Sequence, residues 1–73
     1  MNKKYKDTIN KKWYTGFCTE GEKCWCRTIN TIPWSLERFN NDDMGDCIVG
    51  SGDIEKELAF HIVKIHNEWL ENN

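Results

Sequence analysis

The sequence contains no long apolar run and only one proline, and several catalytic motifs are missing. No apolar stretch approaches the roughly 20 residues that a transmembrane helix requires, so we expect no membrane association. The sequence also lacks a phosphate-binding glycine loop, an H-E-x-x-H motif, a C-x-x-C pair and a paired-carboxylate signature. These absences predict a protein without enzymatic activity and with no catalytic residues.

The first twelve residues are basic and polar. They carry five of the ten positive charges, with Asp7 as their only negative charge, and no apolar stretch follows the lysines. A secretory signal needs such a stretch, so we expect a cytoplasmic protein. Residues 13–73 carry five positive and eleven negative charges, a balance of −6. The segment 1–12 is either a flexible arm or an electrostatic contact for a nucleic acid, a nucleotide or an acidic subunit.

The composition predicts one small folded domain over residues 1–73. The chain is 38% hydrophobic and contains four Trp, three Phe and two Tyr, which is too aromatic for a disordered chain. A chain of this length buries only about 60% of its unfolded surface. We therefore expect additional support from a metal, from disulfides or from a second subunit.

Two segments fit the strands of a hairpin over residues 13–29. They are 13–18 and 23–29, and Gly21 between them can supply the positive φ of a short loop. If Cys18 lies opposite Cys24, all three early cysteines share one face of the hairpin. A third short strand is expected at 46–50, and Ser35 is expected to cap one helical turn before it.

The clearest element is a C-terminal helix over residues 53–71, with Ser51 and Asp53 as competing N-caps. Its apolar residues form two neighbouring stripes, so the helix is expected to be broadly buried. Phe60 lies outside both, as a surface residue or as a contact with another chain. The stripes are Ile54, Leu58, Ile62, Ile65 and Trp69, and then Ala59, Val63, His66 and Leu70. The predicted fold is α+β, a small three-stranded antiparallel sheet with one long C-terminal helix packed on it.

The four cysteines allow three interpretations. Cys18, Cys24, Cys26 and Cys47 can bind zinc, with His61 or His66 in place of one sulfur, although their spacing lacks paired C-x2-C knuckles. They can form disulfides, of which Cys18 with Cys24 is geometrically plausible. They can also be free thiols that pack as small apolar side chains, and this interpretation is favoured. A cofactor is otherwise not expected.

The segments WYTGFCTEGEKCWCR and DCIVGSGDIEKELAFHIVKIHNEWL resemble the short orphan proteins that bacteriophages and prophages of low-G+C bacteria encode. The Lys/Asn/Ile-rich composition and the glycine-opened C-terminal helix carry this resemblance. It implies a protein that binds a host factor, including defence systems, and disables or adjusts it. It assigns no functional residue.

We therefore expect a small interaction protein that modulates or inhibits a host protein. The alternatives are a zinc module that stabilises a binding surface, a nucleotide or nucleic-acid binder, and a protein that associates with itself. Interface contacts are typically aromatic residues and arginine. The candidate partner-binding residues are Trp25, Arg27, Trp34, Arg38, Phe39 and Phe60.

Overall fold

The computed structural model describes residues 8–43 and 45–72. This part of the chain forms a three-stranded antiparallel sheet and one long C-terminal helix, which confirms the predicted α+β fold. The strands are β1 (Tyr14–Gly16), β2 (Thr28–Asn30) and β3 (Cys47–Val49). The helices are the short α1 (Leu36–Asn40) and the long α2 (Lys56–Glu71).

The central strand of the sheet is β2, with β1 and β3 antiparallel on either side of it. Thr15 pairs with Ile29, so the predicted register, with Cys18 opposite Cys24, is wrong by two residues. The predicted short loop is also wrong, because the connection runs over residues 17–27. The physical reason is that this segment turns on itself and bonds to the start of α2 instead of continuing the ladder with β1.

The connection from β2 to β3 has the predicted helical turn. The Ser35 hydroxyl accepts a hydrogen bond from the Arg38 backbone N–H at 3.1 Å and caps α1. Gly45 then has a φ of +70°, and a Cβ there would lie 2.7 Å from the Thr31 hydroxyl. That same hydroxyl accepts a hydrogen bond from the Asp46 backbone N–H at 2.9 Å, which brings β3 beside β2.

Helix α2 begins later than the sequence predicted. Its N-cap is Glu55, whose side chain makes no capping hydrogen bond, so the prediction of Ser51 or Asp53 as the cap is wrong. The Lys56 backbone N–H instead donates to the Trp25 carbonyl oxygen at 2.9 Å. The Trp25 carbonyl, which is distant in the sequence, thus accepts a hydrogen bond that a capping side chain usually accepts at this end of a helix.

The buried side of α2 is narrower than predicted. The helix packs on β1 and β2, and the side chains that it buries are Ala59 and His66. The His66 ring stacks on Trp13 with centroids 3.6 Å apart. On the sheet side, Ile29 is fully buried. This small core buries only part of the apolar surface of α2.

Leu58, Ile65 and Trp69 of the first predicted stripe are 43–53% exposed, so the expectation that this row is buried is wrong. The strands are only three residues long, so the sheet is too small to cover both apolar stripes of a 16-residue helix. We call these three side chains the helix face.

The described part of the basic N-terminal segment lies against the body. Thr8 is buried, and its hydroxyl donates to the Asp46 carboxylate at 3.2 Å. The Lys11 ammonium lies 3.8 Å from the same carboxylate, and the Lys11 carbonyl accepts a hydrogen bond from His66 Nε2 at 2.8 Å. Lys3, Lys4 and Lys6, which were also proposed for nucleic-acid contact, belong to residues 1–7 and fall outside the described residues.

Asn67→Ala should destabilise the fold, because Asn67 joins α2 to the start of β1. Its amide accepts from the Trp13 backbone N–H at 2.9 Å and donates to the Trp13 carbonyl at 3.0 Å. Losing both bonds should lower the free energy of unfolding by about 1–3 kcal/mol, as measured by urea denaturation. Asn72→Ala is the control, since the Asn72 amide donates only to the exposed Glu68 carbonyl. Equal losses in the two variants would contradict this assignment.

Candidate functional site

The segment 17–27, which we call the cysteine loop, folds back by two consecutive turns. The Gly21 N–H donates to the Cys18 carbonyl at 3.0 Å, and the Cys24 N–H donates to the Gly21 carbonyl at 3.2 Å. Gly21 has a φ of +78°, which a residue with a Cβ rarely adopts. These turns return the chain and place Cys18 beside Cys24.

The buried Arg27 side chain links backbone carbonyls of the cysteine loop to one another. Its guanidinium donates hydrogen bonds to the carbonyls of Cys24 (2.8 Å), Cys26 (2.7 Å) and Glu22 (2.9 Å). It also lies over the Phe17 ring, 4.8 Å from the centroid. Because Arg27 is buried in these contacts, it has a structural position and its guanidinium is not presented to a partner.

The far end of the cysteine loop is bonded to the start of α2. Cys26 and Glu55 form an isolated antiparallel bridge, and the Arg27 N–H donates to the Ile54 carbonyl at 3.4 Å. With the bond from Lys56 to the Trp25 carbonyl, this pairing holds the backbone on both sides of Trp25. The Trp25 side chain is nevertheless 58% exposed.

The sulfurs of Cys18, Cys24 and Cys26 all lie within 4.8 Å of one another. The Cys24 and Cys26 sulfurs are 3.3 Å apart, and the three residues are only 2–7% exposed. Around one zinc ion with Zn–S distances of about 2.3 Å, tetrahedral sulfurs lie roughly 3.8 Å apart. The three buried cysteines therefore lie close enough to bind a metal ion. We call them the thiol cluster.

The three thiols are not equivalent. The pKa of Cys18 lies below its usual value because the Cys24 thiol donates a hydrogen bond to its sulfur, and the Glu20 backbone N–H and the Cys26 thiol act in the same direction. For Cys24, a backbone hydrogen bond from Cys26 lowers the pKa. Its thiol's bonds to Cys18 and Cys26, burial and the Glu20 side chain outweigh that effect and raise the pKa to about 12. Cys18 therefore loses its proton at a lower pH than Cys24 does.

The other proposed metal ligands lie elsewhere. Cys47 is exposed on β3 and is not part of the group of sulfurs within 4.8 Å. His66 is buried against Trp13 and bonds to the Lys11 carbonyl, and His61 is exposed on α2. Among residues 8–43 and 45–72, the thiol cluster is the group of potential metal ligands that the fold brings together.

The structure distributes the proposed partner-binding residues over different surfaces. Trp25 and Phe60 are exposed, and so is Arg38, whose guanidinium donates to the Pro33 carbonyl at 2.8 Å. Phe60 borders a depression that Phe17 and other residues line, none of them a cysteine of the thiol cluster. Of these three exposed candidates, Trp25 is the one that lines a depression together with the three cysteines of the thiol cluster.

Trp34 and Phe39 are half-buried and belong to an aromatic group with Phe17. The Trp34 ring lies 5.0 Å from Phe17 in an edge-to-face arrangement and 6.0 Å from Phe39. The Trp34 Nε1 is buried and has no hydrogen-bond partner among the described residues. Through Trp34, these contacts connect Phe39 of α1 to Phe17 at the start of the cysteine loop.

Two features of the site were missed at the level of sequence. The helix face was expected in the core, and its exposure follows from the small sheet, which the helical pattern does not indicate. Glu20 was also missed; it lies two residues after Cys18 and borders the thiol cluster. The spacing of the cysteines does not indicate that Glu20 lies beside them.

Within residues 8–43 and 45–72, no helix has the length and apolar character needed to cross a bilayer. No protein-family model, curated protein or solved structure matches the chain. The inference about function therefore depends on the geometry described above.

Proposed function

We propose that this chain is a small non-enzymatic interaction protein that binds a host protein through the helix face. The observation that carries this proposal is the exposure of Leu58, Ile65 and Trp69 on one side of α2. Spacings of seven and four residues place the three side chains along one line of a helix. Contiguous exposed apolar side chains of this kind mark interaction sites, and a helix that presents them fits an apolar groove.

The charges around the helix face indicate what borders that groove. Glu57 and Glu68 are exposed next to the apolar row with Lys64 between them, and residues 13–73 carry a net charge of −6. A groove with lysine or arginine side chains on its rim complements this surface and discriminates against acidic partners. The resemblance to short phage proteins supports a cytoplasmic host protein, including one of a defence system, as the partner.

Ile65→Ser should weaken binding to the partner without unfolding the chain. Ile65 is 53% exposed, so the fold loses little when it is truncated, whereas an anchor at an interface typically contributes 2 kcal/mol or more. We expect the untagged wild-type chain, immobilised through an amine, to enrich a specific host protein. The purified partner should bind the Ile65→Ser variant at least about 10-fold more weakly.

Lys56→Ser is the matched control, because the Lys56 side chain is exposed on the opposite side of the same helix. Its affinity for the partner should equal that of the wild type. Undiminished binding of the Ile65→Ser variant would refute the helix face as the docking surface. If the wild type is a dimer that Ile65→Ser dissociates, the face binds a second copy and the proposal of a host partner fails.

A second candidate function rests on the thiol cluster. We infer that Cys18, Cys24 and Cys26 bind one zinc ion and that the metal holds the cysteine loop and Trp25 in a binding-competent shape. Three buried sulfurs at metal-ligand spacing support this, and a chain with so few buried apolar side chains would gain folding free energy from the metal. The cysteine substitutions that test it are given in the Discussion.

A further inference from the structure

An open depression of about 270 Å³ lies over the thiol cluster. The three cysteines line it together with residues from two segments, Thr19, Glu20, Trp25, Ser51 and Gly52. Among these lining residues, Glu20 is the one that carries a carboxylate. Zinc accepts a carboxylate oxygen as a ligand as well as sulfur. A side chain that can complete a metal site therefore lies at the opening of the cluster.

The Cys24 thiol is the point at which the candidate ligands meet. Its sulfur lies 3.3 Å from the Cys26 sulfur. Its thiol also makes side-chain hydrogen bonds with Cys18, with Cys26 and with the Glu20 carboxylate. Zinc binds the thiolate and displaces the thiol proton. The place that the metal takes beside Cys24 is thus bordered by two more sulfurs and one carboxylate.

We propose that the Glu20 carboxylate is the fourth ligand of the metal and closes the site with one oxygen beside three sulfurs. This inference rests on the zinc binding proposed above and names the group that completes it. A zinc ion with four protein ligands is typically structural, whereas a catalytic zinc keeps one position for water. Glu20 would therefore give the metal a structural role, in keeping with a protein that acts through its surface.

The backbone holds Glu20 within reach of the metal. Its N–H bonds to the Cys18 sulfur, and a single turn of 3₁₀ helix (Gly21–Lys23) follows it and returns the chain to Cys24. The ligand atoms that all lie within 4.8 Å of one another are the three sulfurs, so the carboxylate has to turn from Cys24 toward the other two. Glu20 is exposed, and rotation about its side-chain bonds displaces no packed neighbour.

The other groups considered as metal ligands are held away from this position. Cys47 is exposed on β3, and the His66 ring stacks on Trp13 with Nε2 bonded to the Lys11 carbonyl. Neither of them lines the depression, and nor does the exposed His61. A carboxylate is also acceptable by charge, because three thiolates and one carboxylate carry the same net charge as the four thiolates of a common zinc site.

The test uses Co²⁺ as a spectroscopic replacement for zinc and free imidazole as a probe for an open coordination position, with untagged full-length protein. Wild-type protein should bind Co²⁺ with sulfur-to-metal charge-transfer absorption, and imidazole should leave its visible d–d bands unchanged because Glu20 fills the fourth position. Glu20→Ala should bind Co²⁺ at least about 10-fold more weakly, since the loss of an outer-shell partner alone has that effect. Imidazole should then shift the d–d bands of this variant with saturation.

Glu22→Ala is the matched control, because Glu22 is an exposed carboxylate of the same loop that does not line this depression. Its affinity for Co²⁺ and its insensitivity to imidazole should equal those of the wild type. Under reducing conditions, Glu20→Cys should restore tight binding and raise the charge-transfer absorption by about one third, because four thiolates replace three. Glu22→Cys should leave that absorption unchanged.

The failures of the two proposals are distinguishable. Absence of Co²⁺ binding by the folded wild type would overturn the zinc proposal and this inference with it. A wild-type spectrum that imidazole shifts would overturn this inference alone, and so would a Glu20→Ala variant that binds Co²⁺ as tightly as the wild type. Weaker binding by Glu20→Ala without a response to imidazole would also overturn it, because Glu20 would then support the site without ligating the metal. Circular dichroism of each variant establishes that it is folded.

Discussion

Cys24→Ser is expected to abolish zinc binding, whereas Cys47→Ser should retain one zinc ion per chain. Cys24 lies at the centre of the thiol cluster: its sulfur is 3.3 Å from that of Cys26, and its thiol donates a hydrogen bond to Cys18. A serine hydroxyl is a poor ligand for zinc beside two sulfurs. Native mass spectrometry of untagged protein measures the bound metal directly and also shows any disulfide.

The same pair of variants should differ in thermal stability. A ligand that binds only the folded state stabilises it by about 2.7 kcal/mol when its free concentration is 100 times the dissociation constant. For a domain of this size that corresponds to a rise in Tm of about 10–20 °C. Added zinc should raise the Tm of the wild type and of Cys47→Ser, and it should leave the Tm of Cys24→Ser unchanged.

Two results would contradict this assignment. A folded wild-type chain that takes up no zinc would leave the buried cysteines as packing residues, the interpretation that the sequence favoured. Loss of zinc from Cys47→Ser would instead show that the exposed sulfur on β3 takes part, against the separation seen in this structure.

The elements of the fold were predictable because their signals are local. Ser35 caps the turn that follows it, and the long amphipathic pattern forms α2. The register of the hairpin was not predictable, because it depends on contacts between distant segments. Lys56 bonds to Trp25, and this pairing removes the residues before β2 from the ladder with β1.

The thiol cluster was predictable only in part. Strand alternation predicted Cys18, Cys24 and Cys26 on one face, but by a register that is wrong; the turns around Gly21 bring the sulfurs together instead. The position of Cys47 depends on how the third strand pairs, which the sequence left open. The helix face was missed because its exposure depends on the width of the sheet, a property of the assembled fold and not of the helix.

Arg27→Met is expected to produce the largest loss of stability among the substitutions outside the thiol cluster. Methionine can fill much of the space, but three carbonyl oxygens of the cysteine loop would lose the donors that now lie 2.7–2.9 Å away. Hydrogen bonds to a charged group contribute about 1.5–3 kcal/mol each. We expect the free energy of unfolding to fall by about 3–5 kcal/mol, from a total of roughly 4–11 kcal/mol for a chain of this length.

Replacing a buried ion pair by apolar residues is often neutral, because both charges are removed together. Arg27 differs, since its partners are backbone carbonyls that no substitution removes. Arg38→Met is the control: its guanidinium also bonds to a carbonyl, but at the exposed surface, and its loss should change stability by no more than about 0.5 kcal/mol. Urea denaturation compares the two variants. If they proved equally stable, the cysteine loop would hold its shape without the Arg27 side chain, through its turns at Gly21 and its backbone bonds to Ile54 and Lys56.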